Sequence, residues 1–414
     1  MTKDNSNTRT PIIRFQGFNG EWKKKKIGDI AIVLQGYGFP EKYQGQKYGD
    51  LPFCKVGDIS SAVDRGEMVI NKADNFVDYS LLPVWHARPI PVGSTIFAKI
   101  GEAIRSNKRI RTGVPCLIDN NAAAVKSKGE ISDTFLFYLM SKVNLADYSG
   151  GIVPSVNKST IEAIDVLVPS SRNEQQKIAE CLEAIDQMIS AQNRKVESLK
   201  AHKKGLIQQL FPQPGATTPA LRFPGFTGDW EVKKLGEIAD VNPKSDKLPN
   251  KFVYIDLESV ESGNLLKKNI IEVKNAPSRA QRLLKKGDIL FQMVRPYQRN
   301  NYHFYDNDVN VYVASTGYAQ IRYKDCSEYL YQYLHTDTFV DMAVSKCVGG
   351  NYPAINTTDL TNITVYLPSP AEQQMIAECL GTLDNLIAAE SKKLGFLKSH
   401  KKGLMQQLFP QPEK

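Results

Sequence analysis

The chain carries one sequence unit twice. RFQGFNGEW at residues 14–22 returns as RFPGFTGDW at 222–230, 208 positions later. EQQKIAECL at 174–182 returns as EQQMIAECL at 372–380, and HKKGLIQQLFPQP at 202–214 as HKKGLMQQLFPQP at 400–412, both 198 positions later. A weaker match sets GGIVPSVN at 150–157 against GGNYPAIN at 349–356, offset by 199. Self-similarity of this kind means one structural unit built twice. Between the matched ends, VGSTIFAKIGEAIRSNKR (92–109) aligns only loosely with KGDILFQMVRPYQRNNYH (286–303). The drop in offset from 208 to 198 makes the two middles differ in length by about ten residues. Near-identical ends around diverged middles fit a common frame that carries two different readers. An enzyme duplicated for stability has no need of that pattern.

The frame is legible as two long helices. Ile178, Leu182, Ile185, Ile189, Val196, Leu199, Leu206 and Leu210 step by fours and threes, as do Ile376, Leu380, Leu383, Ile387, Leu394, Leu397, Leu404 and Leu408. That alternation is the seam of a coiled coil. The seam position skipped between the fourth and fifth apolar residues holds Gln192 in the first copy and Glu390 in the second. A polar group there either fixes register or marks a frayed, exposed stretch. Each helix opens after a proline-serine turn, VPSSRNEQQ at 168–176 and LPSPAEQQ at 367–374. Each carries lysines near its end (Lys203, Lys204, Lys401, Lys402), which suits the helix dipole, and each stops at FPQP, where proline cannot continue it. About 36 residues at 1.5 Å per residue span roughly 54 Å. Neither helix buries its stripe alone. The simplest partner is the other copy in antiparallel pairing, the alternative being a long core helix packed on its own domain.

The middles read as strand-rich. FCKVGDIS (53–60) and FVYIDLES (252–259) are apolar runs that end at turn residues, and STIFAKI (94–100) and DILFQMV (288–294) alternate as strands do. A basic, polar loop follows in each copy. The first contains Lys99, Arg105, Asn107, Lys108, Arg109 and Arg111, and the second Arg295, Tyr297, Gln298, Arg299, Asn300 and Asn301. Arg, Asn and Gln can grip base edges with two hydrogen bonds, and Lys and Arg neutralise phosphate. A solvated hairpin loop has the same composition; two basic loops at equivalent places tilt the reading toward nucleic acid.

Composition bounds the rest. Of 414 residues, 42% are hydrophobic and 23% charged, enough to bury a sizeable core, and the net charge of +9 favours a polyanionic partner. The six cysteines (Cys54, Cys116, Cys181, Cys326, Cys347, Cys379) form no C-x-x-C pair and histidines number five, which argues against a zinc site and suits a reducing cytoplasm. Cys181 and Cys379 fall at matching helix positions and read as buried small apolar residues. The opening MTKDNSNTRTP lacks the apolar stretch of a signal peptide, and no run of about 18 apolar residues marks a membrane span. No phosphate-binding G-x-x-x-x-G-K-[ST], H-E-x-x-H, G-x-S-x-G or Asn-Pro-Pro-aromatic box is present. Asp256 followed by Glu272-Val273-Lys274 has the spacing of a nuclease magnesium site, but the first copy has no counterpart. Catalytic, membrane and metabolic readings therefore rank below DNA recognition without a catalytic site.

With the RF-x-GF-x-G-[ED]-W openings, EQQ-x-IAECL, and the helix endings KKGLIQQLF and KKGLMQQLF in view, essentially the whole chain resembles the specificity subunit of a type I restriction–modification enzyme. The resemblance implies an α+β fold: two mixed α/β target-recognition domains separated by two long antiparallel coiled-coil helices, related by a pseudo-twofold internal repeat. The expected division is recognition domains at 1–170 and 214–368, with spacer helices at 171–213 and 369–414. It implies that each domain reads one half of a split, asymmetric site. The helices set the gap and dock two modification subunits, with restriction subunits joining for cleavage. It further implies a non-catalytic chain without a cofactor of its own. S-adenosylmethionine for adenine-N6 methylation, and ATP with Mg²⁺ for restriction, belong to the partners. No base-reading residue carries over by motif. The alternative is a freestanding duplicated DNA-binding regulator or architectural protein. The near-identity of the helices favours the first reading, because docking constrains a surface whereas a regulator needs only a spacer.

Overall fold

The computed structural model describes residues 9–306 and 308–410. The first eight residues of the opening segment, and the last two residues of the second FPQP stop, lie outside the described residues. The chain forms two compact units, one of residues 1–196 with 390–414, the other of residues 197–389. Both boundaries fall inside the long helices, Arg172–Leu210 and Pro370–Leu408, of 39 residues each. Each unit therefore contains one diverged middle, the start of one long helix and the end of the other.

In the first unit, Lys23–Lys26 pairs antiparallel with Asp165–Val168, joining the start of the repeat to the segment that enters the helix. The matched motifs explain themselves here. Arg14 donates Nε and Nη2 to the two carboxylate oxygens of Glu174, both at 2.7 Å, and Trp22 Nε1 donates to the same carboxylate at 3.3 Å. Glu174 is buried, so its charge is tolerable only because this fork and the indole satisfy it. Gln175 closes the turn by donating to the Pro169 carbonyl at 3.1 Å. A five-stranded sheet follows in the order Ala31–Gln35, Ala122–Ser127, Thr95–Ala98, Arg109–Thr112, Val69–Ile70. A three-stranded sheet has Leu51–Cys54 at its centre, parallel to Leu117–Ile118. The expected strand at 53–60 ends at Cys54. Helix Val56–Asp64 begins there because Asp58 accepts the Lys55 backbone N–H at 2.8 Å and holds the first turn. The main core joins Trp22, Phe97, Phe135 and Tyr138 to Ile178 and Leu182 of the first helix and to Leu408 and Phe409 of the second.

The second unit repeats the plan. Glu231–Lys234 pairs with Thr364–Leu367, and Arg222 grips buried Glu372 at 2.7 and 2.8 Å. One four-stranded sheet runs Ala239–Val241, Tyr318–Tyr323, Ile289–Gln292, Tyr302–His303; the other runs Asn269–Glu272, Lys251–Ile255, Tyr312–Ser315, Ala280–Leu283. Leu210 and Phe211, at the end of the first helix, enter a core with Trp230, Tyr329, Tyr333, Ile376 and Leu380.

The seam residues thus do two jobs. Ile178, Leu182, Ile376 and Leu380 face domain cores, Ile185 is buried, and Ile189, Leu383 and Ile387 are half-buried. Inside the first unit, Asp186 meets Lys401 at 2.6 Å while Gln192 meets Glu390 at 2.6 Å, so the two helical segments run antiparallel. Cys181 and Cys379 are half-buried, not buried, because they sit at the margin of the stripe. Among the described residues no helix is long and apolar enough to cross a membrane.

Candidate nucleic-acid interface

In the first unit the basic loop leaves the central strand Thr95–Ala98 and returns through strand Arg109–Thr112. Its tip is a short 3-10 turn, Glu102–Ser106, closed by Asn107 in the left-handed region at φ 50°. Arg105 stands out from this turn with its side chain 65% exposed, paired with Glu102 at 2.9 Å. Lys108 reaches Asp64 at 2.7 Å. Lys99 is half-buried at the strand end, and burial pulls its ammonium below the usual lysine range.

Arg109 and Arg111 point elsewhere. Arg109 is 7% exposed. It stacks on the Phe97 ring at 4.7 Å and donates to Asn107 Oδ1 at 2.8 Å and to the Lys108 carbonyl at 3.0 Å; burial lowers its pKa. Arg111 donates to Thr134 Oγ1 at 2.8 Å and to Glu183 on the long helix at 2.5 Å, tying the sheet to the frame. Strand alternation sends both side chains to the helix-covered face of the sheet. Asn107 is held too, donating to the Ser141 carbonyl at 3.3 Å.

The second loop follows strand Ile289–Gln292 and turns through Pro296–Gln298, flanked by Arg295 and Arg299, both at φ 55°. Tyr297 and Gln298 are exposed at its crest, and Gln298 Oε1 accepts from Gln292 Nε2 at 2.8 Å. Arg295 lies over the Tyr352 ring at 4.2 Å. Arg299 donates to Asp337 at 2.6 Å and to the His335 carbonyl at 3.0 Å. Asn300 Oδ1 accepts the Ser262 backbone N–H at 3.2 Å. Asn301 is buried, its Oδ1 accepting from the Gln292 backbone N–H at 2.8 Å. The exposed polar surface of the two loops is therefore narrower than their composition: Arg105 in one, with Lys108 half-buried against Asp64 beside it, and Tyr297 and Gln298 in the other, with Lys99 and Arg295 at the loop bases.

A neighbour absent from the candidate residues stands beside each loop. The segment GGIVPSVN is stitched to the first, with Gly101 N–H donating to the Pro154 carbonyl at 2.8 Å and Val156 N–H to the Lys99 carbonyl at 2.9 Å. GGNYPAIN is stitched to the second in the same way, Arg295 N–H to Pro353 at 2.7 Å and Ile355 N–H to Met293 at 3.1 Å. The signal was the repeat match itself, which marks a shared backbone device. The nuclease-like triplet forms no cluster: Ser259 Oγ donates to Asp256 at 2.6 Å, while Glu272 pairs with Lys251 and Lys274.

The family description "type I restriction modification DNA specificity domain" matches the chain twice, at residues 19–201 and 227–398. The type I restriction enzyme MjaVIII specificity subunit of Methanocaldococcus jannaschii is 25% identical over 409 residues, covering 94% of this chain and 92% of its own. The HindI specificity subunit of Haemophilus influenzae is 31% identical over 169 residues, 38% of this chain and 36% of its own. Among solved structures, the S subunit of a type I restriction-modification system from M. genitalium shares the fold, with a TM-score of 0.61 at 14% identity over 98% of this chain and 100% of that one. The chain belongs to the type I restriction–modification DNA specificity family.

Proposed function

We propose that the chain reads a bipartite, asymmetric DNA site and docks the enzymes that act there. In this reading residues 1–170 and 214–368 are two recognition domains, each reading one half. Residues 171–213 and 369–414 are the spacer helices that dock two modification (adenine-N6 methyltransferase) subunits, with restriction subunits added for cleavage. S-adenosylmethionine, ATP and Mg²⁺ serve those partners. This chain contributes position and sequence choice: cationic side chains engage phosphate, and loop side chains meet base edges.

The observation that carries the reading is that one frame is built twice around two different loops. The Arg14–Glu174 fork recurs as Arg222–Glu372, and Asp186–Lys401 recurs as Lys203–Asp384, while Arg105–Lys108 and Tyr297–Gln298 share no pattern.

Mapping methylated adenines in host DNA with and without the chain tests it. A split motif should vanish when the chain is removed, and replacing residues 1–170 with those of another family member should rewrite one half only. A swap that changed both halves, or neither, would refute the division of labour.

A further inference from the structure

We infer that the tips Ile152-Val153 and Asn351-Tyr352 are specificity-determining contacts, one pair for each half of the DNA site; this rests on the recognition role proposed above. The two loops stand at equivalent places beside the basic loops, and their sequences differ most in chemistry at the outward tips, Ile152-Val153 against Asn351-Tyr352. Gly151 at φ 88° reverses the chain in the first loop; in the second, one residue longer between its bridging residues, Gly349 at φ 103° does so, and a Cβ there would lie 3.2 Å from the Tyr352 carbonyl oxygen. Each loop closes on itself through paired backbone hydrogen bonds, Gly150 with Ser155 at 3.3 and 3.4 Å and Val348 with Ala354 at 3.0 Å each way. Asn157 and Asn356 pin the exits by accepting backbone N–H groups of the helices that follow, both at 2.8 Å. Between glycines and proline the frame holds two residues clear of the surface. Ile152 is fully exposed, and Val153 and Tyr352 are mostly so.

Loops pinned at both ends that hold Ile152, Val153 and Tyr352 out to water imply a partner that covers them. The partner is duplex DNA. The tip loops are stitched by backbone hydrogen bonds to the basic loops, at Lys99 in the first unit and at Arg295 in the second, where the guanidinium lies over the Tyr352 ring, so each tip belongs to a basic stretch of surface. Aliphatic side chains suit thymine methyl groups or an opened base step, whereas Asn beside Tyr suits a hydrogen-bonded adenine edge with an aromatic flank. Equivalent loops with different tips are what two different half-sites require.

The test uses the full chain co-expressed with its modification subunits, with methylated adenines mapped in genomic DNA. One variant exchanges the first tip for the second (I152N/V153Y) and one does the reverse (N351I/Y352V). Each installs the residues that the corresponding loop of the other repeat already presents. A third, I152S/V153S, only removes exposed apolar surface. Methylation of the wild-type motif should fall about tenfold or more in the first and third variants through altered bases in one half alone, and in the second variant through the other half. Unchanged motifs, both halves changing together, or lost co-purification of the modification subunits with the motif intact would each overturn the inference. A wild-type complex that methylates no split motif would overturn the recognition role itself, and the tips with it.

Discussion

Gln192 and Glu390 hold equivalent positions in the two repeats and bind each other. Gln192 Nε2 donates to Glu390 Oε2 at 2.6 Å and to the Glu390 carbonyl oxygen at 3.0 Å, and Lys195 pairs with the same carboxylate. The neighbouring seam positions, Ile189, Val196, Ile387 and Leu394, are apolar, so a slipped register would press Gln192 against leucine or isoleucine with its amide unpaired. Lys195 first, then Gln192, hold the Glu390 carboxyl below the usual glutamate range. A depressed carboxyl contributes stability above its unfolded pKa of about 4.3 and loses it as pH falls through the folded value. At neutral pH, E390A should melt below the wild type, whereas Q192L/E390L should melt at or above it and blur the gap of the methylated motif. Calorimetry with methylation mapping checks both; a double variant that keeps one sharp gap would show that the pair does not set register.

The two helix clasps should differ in strength. Asp186 receives Lys401 at 2.6 Å and Tyr138 Oη at 2.8 Å, and its counterpart Asp384 receives Lys203 at 2.6 Å and Gln332 Nε2 at 2.7 Å. Asp186 is 13% exposed and Asp384 41%, so water screens the second pair more. A double-mutant cycle with D186N and K401M in urea unfolding should give a coupling of about 1–2 kcal/mol, and the D384N/K203M cycle clearly less. Equal couplings would contradict the screening argument.

Phe409 belongs by sequence to the second repeat and by packing to the first unit. Its ring lies 5.8 Å from both Trp22 and Phe135. F409A should cost about 3–5 kcal/mol, the usual range for emptying a core aromatic site. It should shift the emission of Trp22 while leaving Trp230, read in variants retaining one tryptophan, as it was. A perturbation confined to Trp230 would place the loss in the wrong unit.

The frame was legible because its physics is local: heptad spacing, proline stops and matched motifs announce helices without knowledge of tertiary contacts. Even the functions of Arg14 and Glu174 were implicit in their recurrence as Arg222 and Glu372, although only the fold shows that they meet. The sequence could not divide the helices between two units, because Leu210 and Leu408 carry the same seam signature and differ only in which core receives them. Loop composition overstated the free surface for a similar reason. Arg109 and Arg105 are the same residue type four positions apart, and burial against Phe97 is a tertiary fact. The basic strand end at Arg111 serves the frame through Glu183, which no local pattern reveals.

Two histidines make the second unit sensitive to mild acid. His335 Nδ1–H donates to the Tyr331 carbonyl at 2.8 Å, leaving Nε2 to accept from Asn301 at 3.4 Å, which requires the neutral ring. His303 stacks on Tyr331, with centroids 5.1 Å apart. Burial pushes both down to about 4. The unfolded chain takes up these protons near pH 6.5 and the folded one does not, so stability is full above about pH 6.5 and declines toward pH 4, by up to about 3 kcal/mol per ring. H335Q should flatten the slope of unfolding free energy between pH 6.5 and 5 measured in urea. An unchanged slope would mean that His335 accepts a proton in the folded state.

Arg105 and Arg109 offer a direct separation of recognition from stability. Arg105 has no core contact, so R105A should leave the melting temperature unchanged. If its exposed guanidinium meets a phosphate, the slope of log affinity against log salt for DNA binding by the assembled complex should fall by about one. Arg109 covers the Phe97 ring and supplies donors to the Lys108 carbonyl and to Asn107. R109A should therefore cost about 2 kcal/mol or more in folding, through unpaired buried acceptors and a lost stacking partner. Its DNA affinity should fall only as far as the loop it supports comes apart. The lysine variant R109K keeps the charge but loses the planar stack and the fork, so it should rescue little of the stability. An R105A complex with an unaltered salt slope would remove this turn from the DNA surface, whatever R109A does to the fold.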